Sequence, residues 1–202
     1  MNSFILLSFG RNREARVDLL SGGQQFATIQ ERPEFHNMIV LEPLSPRNAM
    51  VFKQVRLRAL QEAPKAFGST YARESQLSDQ EWISRSVRWG SGRSAAFLAM
   101  ENGTACGIAA SLLDEKDATK AQLLSMWTAP ERRNLGIGRL LVNEIMAWAG
   151  QRGVRTLRLM VVSNNQSAIV FYERLGFTRT GRTEPYPNDS VLLEYEMSRP
   201  LP

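Results

Sequence analysis

Residues 120–162 read as strand, glycine turn, helix and strand, and few folds accept that order. AQLLSMWTAP is apolar and ends at Pro130, ERRNLGIG follows, RLLVNEIMAWAG has helical spacing, and TLRLMVV is nearly all apolar. A strand apolar on both faces belongs inside a sheet covered on two sides, which is where parallel strands sit. The run is therefore a strand–helix–strand crossover unit. Its turn carries Gly136 and Gly138 just before the helix. Glycine accepts positive φ and lets another group come close to the backbone. A helix start offers unpaired N–H groups and partial positive charge, so the turn is a candidate phosphate cradle. The dinucleotide fingerprint fails, because its third small residue would fall at Leu141. A Walker A loop fails too, because no Gly-Lys-Ser/Thr follows. An ordinary connection with glycines for geometry alone and an anion site both remain open on these residues.

Composition removes several kinds of chemistry. Cys106 is the one cysteine and His36 the one histidine in 202 residues. An internal disulfide framework is impossible and a cysteine metal cluster is not expected; because His36 stands alone in a polar, irregular segment, multi-histidine metal sites and histidine triads are not expected either. No metal is expected. Cys106, in TACGIAAS, reads as a small buried hydrophobe. The net charge of +5 comes from scattered arginines without a basic stripe, so a nucleic-acid partner is not expected. No stretch has transmembrane length, and FILLSF is too short for a signal core. A cytoplasmic setting without a membrane partner follows as the expectation, with a monomer or homodimer both open.

The rest of the chain divides at about residue 38. Residues 1–37 are polar and weakly periodic, and read as an N-terminal extension or docked arm. MIVLEPL opens residues 38–202, the expected domain, as a strand. Ser45-Pro46 starts a helix running to about Glu62, with Phe52, Val55, Ala59 and Leu60 on its apolar face. SDQE, residues 78–81, is a capping box ahead of a second helix with Trp82, Ile83 and Val87, which stops near Gly90. Asn102-Gly103 between two apolar runs signals a hairpin, and QLLSMWT continues that meander. After the glycine turn, Ile137, Leu140, Leu141, Ile145 and Trp148 fall on one helical face. NQSAIVFYERLG is a short helix capped by Asn164 or Asn165, and FTRTG and SVLLEYEM complete the sheet.

This order, with the glycine turn after the fourth strand, resembles the GNAT N-acetyltransferase superfamily over roughly residues 38–198. Arg133-Asn134-Leu135-Gly136-Ile137-Gly138 is similar to the family's pyrophosphate loop, and Asn165-x-x-Ala168-x-x-Phe171-Tyr172-x-x-Leu175-Gly176-Phe177 to its C-terminal motif. The resemblance implies a mixed α/β fold, with a mostly antiparallel sheet, one splayed parallel pair and about four flanking helices. It implies acetyl-CoA as acetyl donor and a primary amine, on a small molecule or a protein, as acceptor.

By the same resemblance, the backbone N–H groups of residues 134–139 hold the pyrophosphate, with charge from Arg133 and Arg139. Pantetheine bonds along Met126, Trp127 and Thr128. Asn165 either bonds pantetheine or caps its helix. Tyr172 stands where the family has its general acid, against a plain reading as an amphipathic core tyrosine. No base is identifiable, because the fourth strand has Ser125 and no carboxylate. Glu74, Asp114, Glu115 and Glu184 are candidates that read more simply as solvated surface charges. The acceptor site is expected from two loops, residues 63–74 and 183–189. A non-catalytic coenzyme A-binding module is the alternative.

Overall fold

Asn102 and Gly103 take φ of 49° and 79°, the positive pair that a two-residue hairpin turn needs. They join β5 (Ser94–Glu101) to β6 (Thr104–Leu113), and Glu101 faces Thr104 across the turn. The computed structural model describes residues 38–202 and, ahead of them, three strands. These are β1 (Phe4–Ser8), β2 (Glu14–Leu19) and β3 (Gln25–Thr28), which pair antiparallel in that order. Part of the expected extension is thus a β-meander, in which the FILLS strand pairs with EARVDL. His36 lies outside the described residues. The chain divides into two compact units, Met1–Met38 and Ile39–Pro202, and the second carries everything below.

That unit is built on a seven-stranded sheet. Its strands are β4 (Ile39–Pro43), β5, β6, β7 (Lys120–Thr128), β8 (Thr156–Val162), β9 (Thr178–Tyr186) and β10 (Asp189–Pro200). They lie in the order β4-β5-β6-β7-β8-β10-β9, and β7–β8 is the one parallel pair. The expected mixed sheet with a single parallel pair is what forms. The α helices are α1 (Ala49–Glu62), α2 (Tyr71–Glu74), α3 (Asp79–Trp89), α4 (Ile137–Gly150) and α5 (Gln166–Arg174).

Local chemistry explains most element boundaries. The capping box at α3 is present: Ser78 Oγ accepts from the Glu81 N–H, and the Glu81 carboxylate accepts from the Ser78 N–H. Asn165 caps α5 by accepting from the Ala168 N–H at 3.2 Å. The predicted face of α1 is buried, with Arg56 buried among it.

Some expectations change. Leu140 is 43% exposed. At about 100° per residue, it sits well off the stripe that Ile137, Leu141, Ile145 and Trp148 share. On α3 the buried pair is Trp82 with Ser86, and Val87 is exposed. Two segments expected as loops carry structure. Residues 63–74 hold a 3-10 turn at Pro64–Ala66 and then α2, whose start Thr70 caps. TEPYPND is the tip of the β9–β10 hairpin rather than a free loop. Tyr186 Oη donates there toward the carbonyls of Phe67 at 2.8 Å and Pro64 at 3.1 Å, tying the tip to the segment before α2.

Candidate active site

The parallel pair opens into a gap. β7 and β8 are in register only at Lys120–Thr156, Ala121–Leu157 and Gln122–Arg158. Beyond Gln122, β7 stays with β6 while β8 continues against β10 to Val162. The cause lies in β7 itself. Ser125 has φ of 53°, and the β6–β7 register shifts between Ile108 and Ala110. A bulge of this kind bends its strand and raises local twist, which turns Leu124–Thr128 away from β8. Their outer backbone edge is therefore left without a strand partner beyond Gln122.

The glycine turn stands at the open end of that gap. A 3-10 turn at Pro130–Arg132 leads into Asn134 at φ 63° and Gly136 at φ 81°. Gly136 is the N-cap of α4, and Leu140 N–H to the Gly136 carbonyl is the first bond of the helix. The N–H groups of residues 134–139 meet no acceptor among the described residues. Consecutive donors turned to one side by alternating backbone signs form an anion nest. A Cβ on Gly136 would meet nothing within 4 Å, whereas one on Gly138 would lie 3.0 Å from Phe171 Cζ and 3.2 Å from Met126 Cε. Gly136 thus leaves approach open, and Gly138 lets α4 pack against α5. Leu135 is exposed and Ile137 is buried.

The predicted residues divide into those brought together and those held elsewhere. Met126, Trp127 and Thr128 stand on the part of β7 that has left β8, just ahead of the glycine turn. Arg139 is exposed on the first turn of α4. The Arg133 side chain is turned back: its Nε donates to the Thr128 carbonyl at 3.1 Å and its Nη2 to Glu62 Oε2 at 2.6 Å. The same Glu62 oxygen accepts from Trp127 Nε1 at 2.9 Å. Glu62 therefore organises both residues, and it had no local signal, lying 71 positions from Arg133. Asn165 spends its side-chain oxygen on the α5 cap and on Ser167.

Tyr172 is 8% exposed, between Phe171 and Phe177 at ring distances of 5.2 and 5.8 Å. Its hydroxyl has no hydrogen-bond partner among the described residues. Burial pushes its pKa well above that of an ordinary phenol, so it stays protonated.

Among the base candidates Glu74 departs from expectation. Glu74 is not a solvated charge but 2% exposed. Burial would raise its pKa, but Arg56, Ser69 and Arg85 together hold it below the usual carboxylate value. Asp114 is tied to the Lys116 and Asp117 N–H groups and to Arg158, which lowers its pKa. Glu184 pairs with Arg182. Cys106 is buried, its Sγ donating to the Ala99 carbonyl at 3.3 Å.

Between the sheet and the helices α1, α2 and α3 lies a cleft of about 510 Å³ that reaches Ser125. Among the described residues no cluster of acidic, cysteine or histidine side chains could hold a metal ion. Among them also, no helix is long and apolar enough to cross a membrane.

The acetyltransferase (GNAT) family model matches residues 57–177, which run from within α1 to just past α5 and include both the gap and the glycine turn. The chain belongs to this family. It is 33% identical over 110 residues to the ribosomal protein bS18 alanine N-acetyltransferase of Escherichia coli, covering 50% of this chain and 71% of that one. It is 40% identical over 57 residues to an uncharacterized N-acetyltransferase of Methanocaldococcus jannaschii, and spans only 25% of that protein's length and 28% of its own. An N-acetyltransferase of Thermoplasma acidophilum solved with coenzyme A superposes with a TM-score of 0.65 at 21% identity, over 81% of this chain and 99% of that one. The family and the curated relatives named here are those of N-acetyltransferases.

Proposed function

We propose that residues 39–202 transfer acetyl from acetyl-CoA directly to a primary amine while both substrates are bound. The observation that carries this reading is the row of unpaired N–H groups at residues 134–139, standing at the open end of the β7–β8 gap. Six donors without partners in a helix-start turn suit a pyrophosphate. The free edge of Met126, Trp127 and Thr128 suits the amides of a pantetheine arm, which would pair with it like an added strand. When bound, acetyl-CoA supplies a thioester carbonyl open to attack.

The chain's residues then manage charge and protons. An N–H on the β7 edge near Met126 would donate to the carbonyl oxygen as negative charge develops there. The amine nitrogen forms the new bond to carbon as the carbon–sulfur bond breaks. The proton lost by the amine ends on the leaving sulfur. Tyr172 would donate a hydrogen bond to that sulfur. A phenol is a weaker acid than a thiol, ~10 against ~8.5 in water, and burial weakens this one further. Tyr172 therefore steadies the thiolate until the amine's proton arrives.

The second reading is a module that binds coenzyme A without turnover. One observation favours it: Glu74, the carboxylate lining the cleft beside Ser125, is held ionised by two arginines and is a poor base. Calorimetric titration with acetyl-CoA, followed by a thiol-release assay on an amine panel, tests both readings. Binding with thiol release supports transfer. Binding without thiol release from any amine leaves the module. No binding by folded protein removes both.

A further inference from the structure

The cleft beside Ser125 has a strong charge bias. Arg56, Arg85, Arg88 and Arg93 line it together with one carboxylate, Glu74. Glu74 is shared by Arg56 and Arg85. Arg93 Nη2 donates to the Asp114 carbonyl at 3.1 Å, an uncharged partner. Arg88 pairs with no carboxylate among the described residues. The lining thus carries a surplus of positive charge, and Phe52 and Trp89 add an apolar wall. A volume of about 510 Å³ is that of a small-molecule site.

We infer that this cleft is the acceptor pocket and that it selects a primary amine carrying an anionic group, of the amino-carboxylate kind. The inference rests on the acetyl-transfer reading for the direction of the amine. Ser125 sits on the β7 bulge at the gap, so the amine end belongs toward β7. The anionic end belongs toward Arg88 and Arg93, at the outer rim formed by the end of α3 and the start of β5. A guanidinium fork matches a carboxylate or phosphonate at two points. The same charge repels polyamines and other polycations, since a cleft of one sign focuses its field. The pairing of Arg56 and Arg85 with Glu74 keeps those guanidinium groups in the wall, and the two rim arginines remain for the ligand.

The test is titration of the full chain, saturated with coenzyme A, with 3-aminopropanoate, 2-aminoethylphosphonate, propylamine and 1,4-diaminobutane. At least one anionic probe should bind about tenfold or more tightly than either of the others, the range expected of a charged hydrogen-bonded pair. Arg88→Glu and Arg93→Gln should each erase most of that preference and leave coenzyme A affinity unchanged. Tighter binding of the phosphonate than the carboxylate would keep the pocket and change the anion. Equal or weaker binding of both anionic probes, or a preference that survives Arg88→Glu and Arg93→Gln, would overturn the inference. The same titrations without coenzyme A separate the two readings. Anionic probes that bind where coenzyme A does not would keep the cleft as an anion site and remove the reaction.

Discussion

Arg56 grips Glu74 at two points, Nε to Oε2 at 3.1 Å and Nη2 to Oε1 at 2.9 Å. The pair joins the middle of α1 to the end of α2, and Arg85 of α3 closes on the same carboxylate at 3.2 Å. One buried charge thus holds three helices around the cleft. Removing the carboxylate would leave Arg56 buried without a counter-charge, which costs about 3 kcal/mol or more. Glu74→Gln should therefore lower the urea midpoint of unfolding at pH 7 clearly. A wild-type midpoint would contradict the structural role.

The same pair sets a pH dependence. The folded pKa of Glu74 lies below its ordinary value. Its stabilising contribution is then fully present above the unfolded carboxylate value of ~4.3 and is lost as pH falls through the folded value. Wild type should lose more stability than Glu74→Gln between pH 6 and pH 3, read as the difference of their urea midpoints at the two ends. Parallel curves would remove Glu74 as the source.

What the sequence disclosed divides along range. The glycine turn, the capping box at Ser78, the Asn102-Gly103 hairpin and the Asn165 cap are local devices, and each was legible because its partners lie within four residues. The strand order followed from the resemblance, and with it the splayed pair. The Glu62–Trp127–Arg133 cluster and the Glu74 ion pairs were not legible. Arg56 and Glu74 lie 18 positions apart and Glu62 and Arg133 lie 71 apart, and no helical or strand periodicity links a carboxylate to an arginine at such spacings. Glu74 read as a surface charge because isolated acids almost always are. The hairpin tip at residues 183–189 read as a loop because its prolines and Asn188 are turn residues. Its strand pairing depends on β10.

Gly136 offers a sharper test of the nest. Its φ of 81° is one that a side chain adopts at a cost of roughly 1 kcal/mol, so Gly136→Glu should still fold. The new side chain would bring bulk and negative charge to the six open donors. Affinity for acetyl-CoA should fall at least tenfold in a calorimetric titration, a change in binding of about 1.4 kcal/mol. Unchanged affinity in a folded variant would move the pyrophosphate elsewhere.

Tyr172→Phe separates chemistry from packing. The hydroxyl has no partner among the described residues, so its loss should leave the thermal midpoint unchanged or slightly raised. Turnover should fall about a hundredfold if the phenol serves the leaving sulfur, with acetyl-CoA affinity retained. Because burial raises its pKa, wild type should show no loss of rate from Tyr172 ionisation below pH ~10. Equal turnover in the variant would return Tyr172 to the core.

Glu62 predicts an effect of opposite sign. It holds Arg133 in an ion pair at 2.6 Å, with both side chains partly exposed, and so draws a positive charge back from the nest that follows it. Glu62→Gln keeps an oxygen for Trp127 Nε1 and removes the charge that holds Arg133. The freed guanidinium lies next in sequence to Asn134 and should swing toward a bound pyrophosphate. An exposed pair of this kind is worth about 1 kcal/mol at most, so acetyl-CoA should bind up to about fivefold more tightly. Arg133→Ala in the wild-type background should cost little, and in the Glu62→Gln background it should cost the whole gain. Adding salt should shrink the gain, because the new contact is exposed. Weaker binding in Glu62→Gln would instead mean that Arg133 serves by fixing the Thr128 carbonyl, and that its place against Glu62 is the working one.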